Sequence, residues 1–311
     1  MVDIVNDHQV AEDRAGEPVP EPNLKAMETT TWARFRVGAR HFARSQPLGM
    51  ASALFIVVLA LMAIFAGLIT SVGPTEQLRT EILDGPSLER WFGTDDLGRD
   101  IFSRVVYGAR TSLLVGTVTV FLSGAIGTVL GALSGYFGGK IDLALQRLVD
   151  AVMSIPVIIL ALFIVALLGG SRTNVILALA IVYTPRFSRV ARGEMLRIKS
   201  SDYVTAAEAL GSPPLRTIRR HGLPNLLAPV IILGSLTFGQ AIVAEAALSF
   251  LGLGVPPPEP SWGRMLSDSR QLLQIGWWAV VFPGGAISIT VLAFNLLGDA
   301  FRDHLDPKLV R

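Results

Sequence analysis

The sequence contains no cysteine, and this absence excludes several kinds of chemistry. A chain of 311 residues without cysteine forms no disulfide, no structural thiolate metal site and no thiol nucleophile. Charged residues are also scarce, at 17% of the chain, whereas apolar residues make up 51%. That balance is unusual for a soluble protein. The net charge of +2 gives no indication of nucleic acid, and no nucleic-acid partner is expected.

The apolar residues are gathered into runs that are long enough to cross a bilayer. A helix rises about 1.5 Å per residue and the hydrocarbon layer is about 30 Å thick. A shorter run, 173–185, lies between two arginines, and we count it as a further span whose arginines reach the headgroup level. The sequence therefore predicts an all-α membrane protein with about six transmembrane helices, contacting membrane lipid. The longer runs are 48–75, 111–139, 151–171, 223–253 and 271–298.

Lysine and arginine are distributed unevenly between the loops, and this indicates the orientation. If the N-terminus is cytoplasmic, the cytoplasmic pieces 1–47, 136–150, 186–222 and 299–311 contain 19 of the 27 basic residues. Both termini are therefore predicted to be cytoplasmic. The first apolar run follows a long polar stretch and exceeds the length of a signal-peptide core, so we expect an uncleaved anchor.

The composition divides the chain into five parts. The N-terminal extension is expected to be partly disordered, with a basic amphipathic segment at 32–44 that lies along the inner membrane surface. The segment after the first span is rich in glycine, proline and acids. The parts are an extension at 1–46, a first span at 47–71, an extracytoplasmic segment at 72–109, a transmembrane core at 110–300 with a long cytoplasmic loop at 187–225, and a cytoplasmic tail at 301–311.

The long cytoplasmic loop contains a short helix of its own, predicted over 202–210. Ser200 or Ser201 is suited to cap its N-terminus, and Asp202 falls in the first turn. Gly211 suits the left-handed position that ends a helix. Three alanines between these signals leave one side small enough for another protein to approach closely.

This loop resembles the signature of ABC-importer permeases that is called the EAA loop: Glu-Ala-Ala, three residues, Gly, nine residues, then Ile-x-Leu-Pro. Thr205 stands where the signature has Glu, and His221 stands where it has Ile. The pair Arg220–His221 before Leu-Pro-Asn is similar to the form used by the dipeptide and oligopeptide permease branch. The residues that match at the right spacing are Ala206, Ala207, Gly211, Leu223 and Pro224.

Three further segments resemble the C-type subunit of the same branch, and the resemblance covers about residues 45–308. The first is Phe-Gly-Thr-Asp-Asp-Leu-Gly-Arg-Asp at 92–100. The second is Glu-Ala-Ala-Leu-Ser-Phe-Leu-Gly-Leu-Gly at 245–254, with Pro-Ser-Trp-Gly at 260–263. The third lies at 295–307 and begins Asn-Leu-Leu-Gly-Asp. Four signatures in the expected order are unlikely to arise by coincidence.

The resemblance implies an ABC importer type I permease fold in a bacterial plasma membrane. It also implies a non-catalytic subunit that pairs with a homologous B-type permease, two ABC ATPase subunits or domains, and an extracytoplasmic substrate-binding protein. ATP and magnesium would be bound by the ATPase partners, and this chain would need no cofactor. In the family the loop helix couples the ATPases to the spans. The residues carried over to that role are Asp202, Thr205, Ala206, Ala207, Glu208, Gly211, His221, Leu223 and Pro224.

The substrate implied by the resemblance is a dipeptide or an oligopeptide, with nickel or another small solute as the alternative within the family. A secondary transporter or channel is the alternative of another class. Such transporters often contain internal repeats and several buried charges, whereas here only Glu245 interrupts the clean spans. An intramembrane enzyme lacks support, because neither His-Glu-x-x-His nor Gly-x-Ser-x-Gly occurs. The segment 134–141 resembles a phosphate loop but lacks its first glycine and its final hydroxyl, and a turn after the second span is the simpler interpretation.

Several charged residues allow two interpretations. Glu245 is a candidate for the pathway or a gate, or else a helix-packing carboxylate paired with an arginine or lying near the outer interface. Asp150 is expected to pair with Arg147, one turn earlier, or to act like an N-cap, with a role in transport as the alternative. His221 is expected to donate or accept hydrogen bonds at an interface, with a proton relay as the alternative. Three acids at 95, 96 and 100 favour a polar turn that docks on a neighbouring subunit over a cation site, and no metal is expected.

Overall fold

The structure is a computed structural model that describes residues 46–78 and 80–305. The predictions for 1–45 and 306–311 therefore lie outside the described residues. Among the residues described, the regular elements are helices, with no strand beyond an isolated bridge between Thr94 and Asp100, which confirms the all-α class. The helices are α1 (Pro47–Ile64), α2 (Ala66–Ile69), α3 (Ile101–Phe137), α4 (Gly139–Met153), α5 (Val157–Leu168), α6 (Arg172–Lys199), α7 (Asp202–Ala209), α8 (Pro214–Thr217), a π-helical turn (Ile218–Gly222), α9 (Leu223–Phe250), α10 (Trp262–Ser269) and α11 (Trp278–Leu305).

Four of the described helical segments are long and apolar enough to cross a membrane. They are α1, α3, the continuous segment Pro214–Phe250 that contains α9, and α11. Helix α3 has 37 residues and begins at Ile101, ten residues before the apolar run does, because Asp100 caps it by accepting a hydrogen bond from the Ser103 amide. At about 1.5 Å per residue it is about 55 Å long and extends beyond the hydrocarbon layer.

The third expected span is not one straight helix. Helices α4 and α5 meet at an angle of 89°, so the pair forms at most one broken span. Pro156 lies at the break, where it has no amide hydrogen to donate and disfavours a helical conformation at Ile155. Helix α5 alone has 12 residues and covers only about 18 Å. Helix α4 is amphipathic and carries several of the charged residues.

Helix α6, which includes the expected shorter span, is one continuous helix of 28 residues. Its charges exclude it from the four apolar segments above. Two ion pairs of α6 are nevertheless separated along the helix by the thickness of the hydrocarbon layer. Arg172 pairs with Glu259 at one end, and Arg192 pairs with Asp142 of α4 at 2.6 Å. The twenty helical steps from one arginine to the other span about 30 Å, the thickness of the hydrocarbon layer.

The pairing of Asp150 differs from the prediction. Its carboxylate accepts a hydrogen bond from Arg189 of α6 at 2.8 Å rather than pairing with Arg147. Together with the pair between Asp142 and Arg192, this contact joins α4 to the second half of α6. The expectation from sequence spacing was wrong because a long-range partner on a packed helix lies closer than the residue one turn away.

Helices α3 and α6 pack unusually closely along a line of glycines. A Cβ atom at Gly127 would lie 2.5 Å from Phe187 Cβ, and one at Gly131 would lie 2.3 Å from Ser188 O. One at Gly135 would lie 2.8 Å from Arg192 O. Glycines four residues apart share one face of a helix, and small residues there let two backbones approach in a membrane.

The segment between α3 and α4 is a turn, as predicted for the phosphate-loop lookalike. Ser134 lies in the last turn of α3, and both Gly138 and Gly139 have positive φ. The hydroxyl of Ser134 donates to Asp142 at 2.5 Å and accepts from Gln146 at 3.0 Å. The turn therefore links two helices through contacts within the chain.

Candidate functional site

The predicted loop helix is present as α7 (Asp202–Ala209). Gly211 has φ 81°, which confirms the left-handed stop. The Gly211 amide donates to Glu208 O at 2.9 Å and the Ser212 amide to Ala207 O at 3.0 Å, the two bonds of a Schellman motif. The predicted hydroxyl cap is wrong, since the Ser201 hydroxyl, at the N-cap position, donates to Ile198 O instead.

One face of α7 is fixed to the rest of the chain. Val204 is 1% exposed and lies in a core cluster with Met195 of α6. One turn later, Glu208 accepts a hydrogen bond of 2.8 Å from the Tyr136 hydroxyl, at the end of α3. Of the residues assigned to coupling, Glu208 is therefore held to α3 through its carboxylate although it is exposed, and Ala207 is half-buried.

Large apolar side chains are exposed on α7 and directly after it. Tyr203 is 49% exposed, Leu210 is 89% exposed, and Leu215 at the start of α8 is 71% exposed. Among the residues assigned to coupling, Asp202, Thr205 and Ala206 are also exposed. Exposed apolar side chains grouped on one face mark interaction surfaces. We call Tyr203, Leu210 and Leu215 the apolar face of the coupling region.

The rest of the signature lies directly behind this face. The ring of His221 contacts the ring of Tyr203 with centroids 5.8 Å apart. Leu223 and Pro224 begin α9 directly after the π-helical turn, and Pro224 has no amide hydrogen to donate to that turn. Leu223 is half-buried beside the cluster that contains Val204. The structure thus brings the predicted residues into one region at one end of the protein.

Glu245 is fully buried, with no exposed surface. The Ser249 hydroxyl donates to it at 2.8 Å and the Ser112 hydroxyl of α3 at 3.2 Å. Among the described residues, no arginine lies within ion-pair distance of this carboxylate. Because its hydrogen-bond donors come from α3 and α9 and it is closed off from every exposed surface, its position favours helix packing over contact with a substrate.

The outer acidic turn is satisfied within the chain. Asp95 pairs with Arg99 at 2.7 Å and with Arg104 at 3.6 Å, and its other oxygen accepts two backbone hydrogen bonds. Asp100 caps α3, and burial raises the pKa of this carboxyl. Burial also raises the pKa of Asp96, with the neighbouring Asp95 as the next cause. In the part of the chain that the structure describes, no group of three or more potential metal ligands is found.

A cleft that the sequence did not indicate lies between α6, α9 and α11, next to the break at Pro156. We call it the polar cleft after the five polar residues that line it. Its volume is about 920 Å³. Most of its wall is apolar. Arg186 donates to Gln240 at 2.5 Å, and Asn295 lies against Gly239. The sequence signal that could have indicated this cleft was the pair of isolated amides inside apolar runs, Gln240 and Asn295. Arg186 was instead interpreted as a headgroup arginine. The polar lining residues of this polar cleft are Tyr183, Arg186, Gln240, Asn295 and Asp299.

Comparison with known proteins assigns these features to a family. Residues 127–311 match the model of the binding-protein-dependent transport system inner membrane component, and residues 31–86 match the N-terminal TM domain of oligopeptide transport permease C. A dipeptide transport system permease protein, DppC, of Alkalihalophilus pseudofirmus is 45% identical over 93% of this chain and 96% of the relative. A probable D,D-dipeptide transport system permease protein, DdpC, of Escherichia coli K12 is 43% identical over 85% of this chain and 89% of the relative.

Two other similarities agree with these. A glutathione transport system permease protein, GsiD, of Escherichia coli O157:H7 is 43% identical over 89% of both chains. A chain from an inward-facing structure of the MetNI methionine ABC transporter has a TM-score of 0.51 at 18% identity, and it covers 64% of this chain and 96% of its own length. The similarity to the MetNI chain establishes only the fold, which is that of an ABC importer type I permease. The chain belongs to the family of binding-protein-dependent transport system inner membrane components.

Proposed function

We propose that this chain is the C-type permease subunit of an ATP-driven importer for dipeptides or oligopeptides. Three of its relatives carry names that refer to dipeptide, D,D-dipeptide and glutathione transport, and all of these substrates are short peptides. The common chemistry of the three is a peptide backbone with a terminal amine and carboxylate. That shared chemistry favours a short peptide as the substrate.

The observation that carries this proposal is the two-sided character of α7. Val204 and Glu208 fix the helix to α6 and to Tyr136 of α3, while the apolar face of the coupling region is exposed. A helix attached in this way moves with the spans to which it is fixed, whereas a flexible loop would absorb a displacement. The arrangement suits a coupling helix that docks in a groove of an ATPase subunit.

The energy for transport comes, in this proposal, from the partners. The chain pairs with a homologous B-type permease, two ATPase subunits or domains bind ATP and magnesium, and an extracytoplasmic binding protein delivers the peptide. The segment that resembles a phosphate loop supports this division of labour, because Ile141 follows Lys140 where a phosphate loop has the hydroxyl that binds magnesium. We therefore expect no nucleotide binding by this chain.

We also propose that α7 and both termini are cytoplasmic, in a bacterial plasma membrane. The end of the molecule that carries α7 also carries a dense group of basic residues, and cytoplasmic loops have an excess of lysine and arginine. Arg192, Arg197 and Lys199 lie on the last two turns of α6. Arg216, Arg219 and Arg220 follow α7 within α8 and the π-helical turn.

The experiment compares two leucine-to-aspartate substitutions in the complete transporter. Leu210→Asp introduces a charge at the apolar face of the coupling region, and Leu88→Asp does the same at an equally exposed site, 96% exposed, in the extracytoplasmic segment. Burying an unpaired charge at an interface costs several kcal/mol, about 3–5. The measurements are co-purification of the ATPase subunits and uptake of a labelled dipeptide.

Leu210→Asp should lose most of the ATPase association and uptake, while Leu88→Asp should retain both. Leu210→Asp should still insert in the membrane, since the residue lies outside the spans. Gly211→Val gives a second test through the backbone, because a β-branched residue resists the φ of 81° at that position. If Leu210→Asp and Gly211→Val both retain ATPase association and uptake, α7 is not the coupling element.

A further inference from the structure

Arg186 lies in the middle of helix α6. It follows Arg172 by 14 residues and precedes Arg192 by 6 on the single helix α6. These separations correspond to about 21 Å and about 9 Å along the helix, so Arg186 is inside the length that matches the hydrocarbon layer. A charged side chain at such a depth faces a cavity or a partner and is a functional candidate by default.

The charge of Arg186 is not balanced by the chain itself. Its guanidinium donates a hydrogen bond of 2.5 Å to the neutral amide oxygen of Gln240. In the described part of the chain, no carboxylate lies within ion-pair distance of this guanidinium. By contrast, Arg189 and Arg192, one and two turns further along α6, pair with Asp150 and Asp142. Gln240 fixes the orientation of the guanidinium and leaves other donors directed at the polar cleft.

A guanidinium presents five donors in a planar fork that matches the two oxygens of a carboxylate. The polar cleft offers such a fork in a mostly apolar wall, which is the usual composition of a small-molecule site, and its volume of about 920 Å³ is within the usual range. Asp299 lines the same cleft near the end of α11, so the cleft contains one charge of each sign. A zwitterionic peptide carries the same pair of charges.

We propose that Arg186, oriented by Gln240, binds the C-terminal carboxylate of a peptide as it passes through the polar cleft. This inference rests on the proposed function, since it names the group of the substrate that the pathway recognises. A C-terminal carboxylate is common to peptides of any sequence. A site for that group contributes recognition inside the membrane without selecting among side chains.

The alternative occupant is a carboxylate of the partner permease subunit, because two permeases form one pathway in the proposed function. In that case Arg186 would be needed for assembly, and its occupancy would not depend on a peptide. The two possibilities differ in what happens when the peptide carboxylate is replaced by a neutral amide.

The test uses the complete transporter in nanodiscs, with one cysteine introduced by Val243→Cys. Val243 lines the polar cleft and is exposed, and the chain has no other cysteine. The rate of labelling by a maleimide is measured with dialanine and with dialanine amide, which lacks the carboxylate charge. Arg186→Gln and Arg186→Lys are compared with the matched control Arg189→Gln, which removes an arginine one turn away that already has a partner.

Dialanine should protect the cysteine at about tenfold lower concentration than dialanine amide does, since a hydrogen bond between two ions is about twice as strong as a neutral one. Arg186→Gln should remove this difference, Arg186→Lys should keep part of it, and Arg189→Gln should keep all of it. Equal protection by the two probes in the unsubstituted transporter overturns the inference. So does an Arg186→Gln variant that fails to assemble where Arg186→Lys assembles, because that result assigns the arginine to the partner permease.

Uptake of labelled dialanine distinguishes this inference from the function on which it rests. If the transporter takes up dialanine but protection is independent of the carboxylate, the peptide-import function stands and the role of Arg186 is refuted. If neither uptake nor protection occurs with either probe, the proposed function fails, and the inference fails with it.

Discussion

Replacing Gly131 by alanine should force α3 and α6 apart. The added Cβ atom would lie 2.3 Å from Ser188 O and 2.8 Å from Arg192 N. Non-bonded heavy atoms normally approach to about 3.5–4.0 Å, so the helices would have to separate by about 1 Å. Both neighbouring atoms belong to the backbone of α6. They cannot rotate away as the end of a side chain would.

The cost follows from this geometry. Overpacking a close interface costs about 1–3 kcal/mol, and the higher helix propensity of alanine returns up to about 1 kcal/mol. Gly193 of α6 provides the matched control, because a Cβ atom there meets no atom within 4 Å. Gly193→Ala should therefore stabilise the protein by about 0.5–1 kcal/mol through propensity alone.

The assay is thermal denaturation of the purified transporter, followed by the fraction that remains monodisperse on size-exclusion chromatography. Gly131→Ala should lower the midpoint temperature, and Gly193→Ala should leave it unchanged or raise it. If Gly131→Ala is as stable as Gly193→Ala, then α3 and α6 do not approach as closely as the structure shows, and the line of glycines does not hold the two helices together.

Two further predictions concern topology and the buried carboxylate. A cysteine at Ser87 should label from outside intact cells and one at Ser200 only after permeabilisation, and the reverse pattern would overturn the orientation. Glu245→Gln should leave folding and uptake nearly unchanged, because the amide oxygen can accept from one of the hydroxyls of Ser112 and Ser249 while the amide nitrogen donates to the other, which rotates to accept. Glu245→Leu should reduce the yield of folded protein, since each stranded hydroxyl costs about 1–3 kcal/mol. A large loss of uptake in a well-folded Glu245→Gln transporter would instead place this carboxylate in the pathway.

Features determined by local chemistry could be predicted from the sequence. The position of Gly211 after a short run of helix formers predicts the end of α7, because only a residue that tolerates positive φ suits that place. The apolar runs predict the helical class for a similar reason, since each must satisfy its own backbone hydrogen bonds in lipid. The line of glycines on α3 could also be recognised in the sequence, because Gly127, Gly131 and Gly135 recur every fourth residue.

Features determined by distant partners could not be predicted. The sequence identified Glu245 as a buried ionisable group, but one of the serines that satisfies it lies 133 residues earlier in the chain. The sequence spacing also predicted Arg147, one turn earlier, as the partner of Asp150. In the structure, α4 packs on α6 and Arg189 of α6 is the partner instead. The sequence also could not show how Arg186 is paired. Its neighbours Arg189 and Arg192 have carboxylate partners, and only the fold shows that Arg186 does not.

Helix α6 connects the coupling region to the polar cleft, and only two residues separate its end from α7. It lines the cleft with Tyr183 and Arg186, and it ends at Lys199, three residues before α7 begins. The second half of α6 is joined to α4 by two ion pairs, so a displacement of α7 would move this half together with α4. Pro185, directly before Arg186, removes one backbone hydrogen bond of the helix, and a proline inside a helix is a common point of bending. A movement that begins at the apolar face of the coupling region would therefore change the width of the polar cleft at the arginine that we assign to the peptide carboxylate.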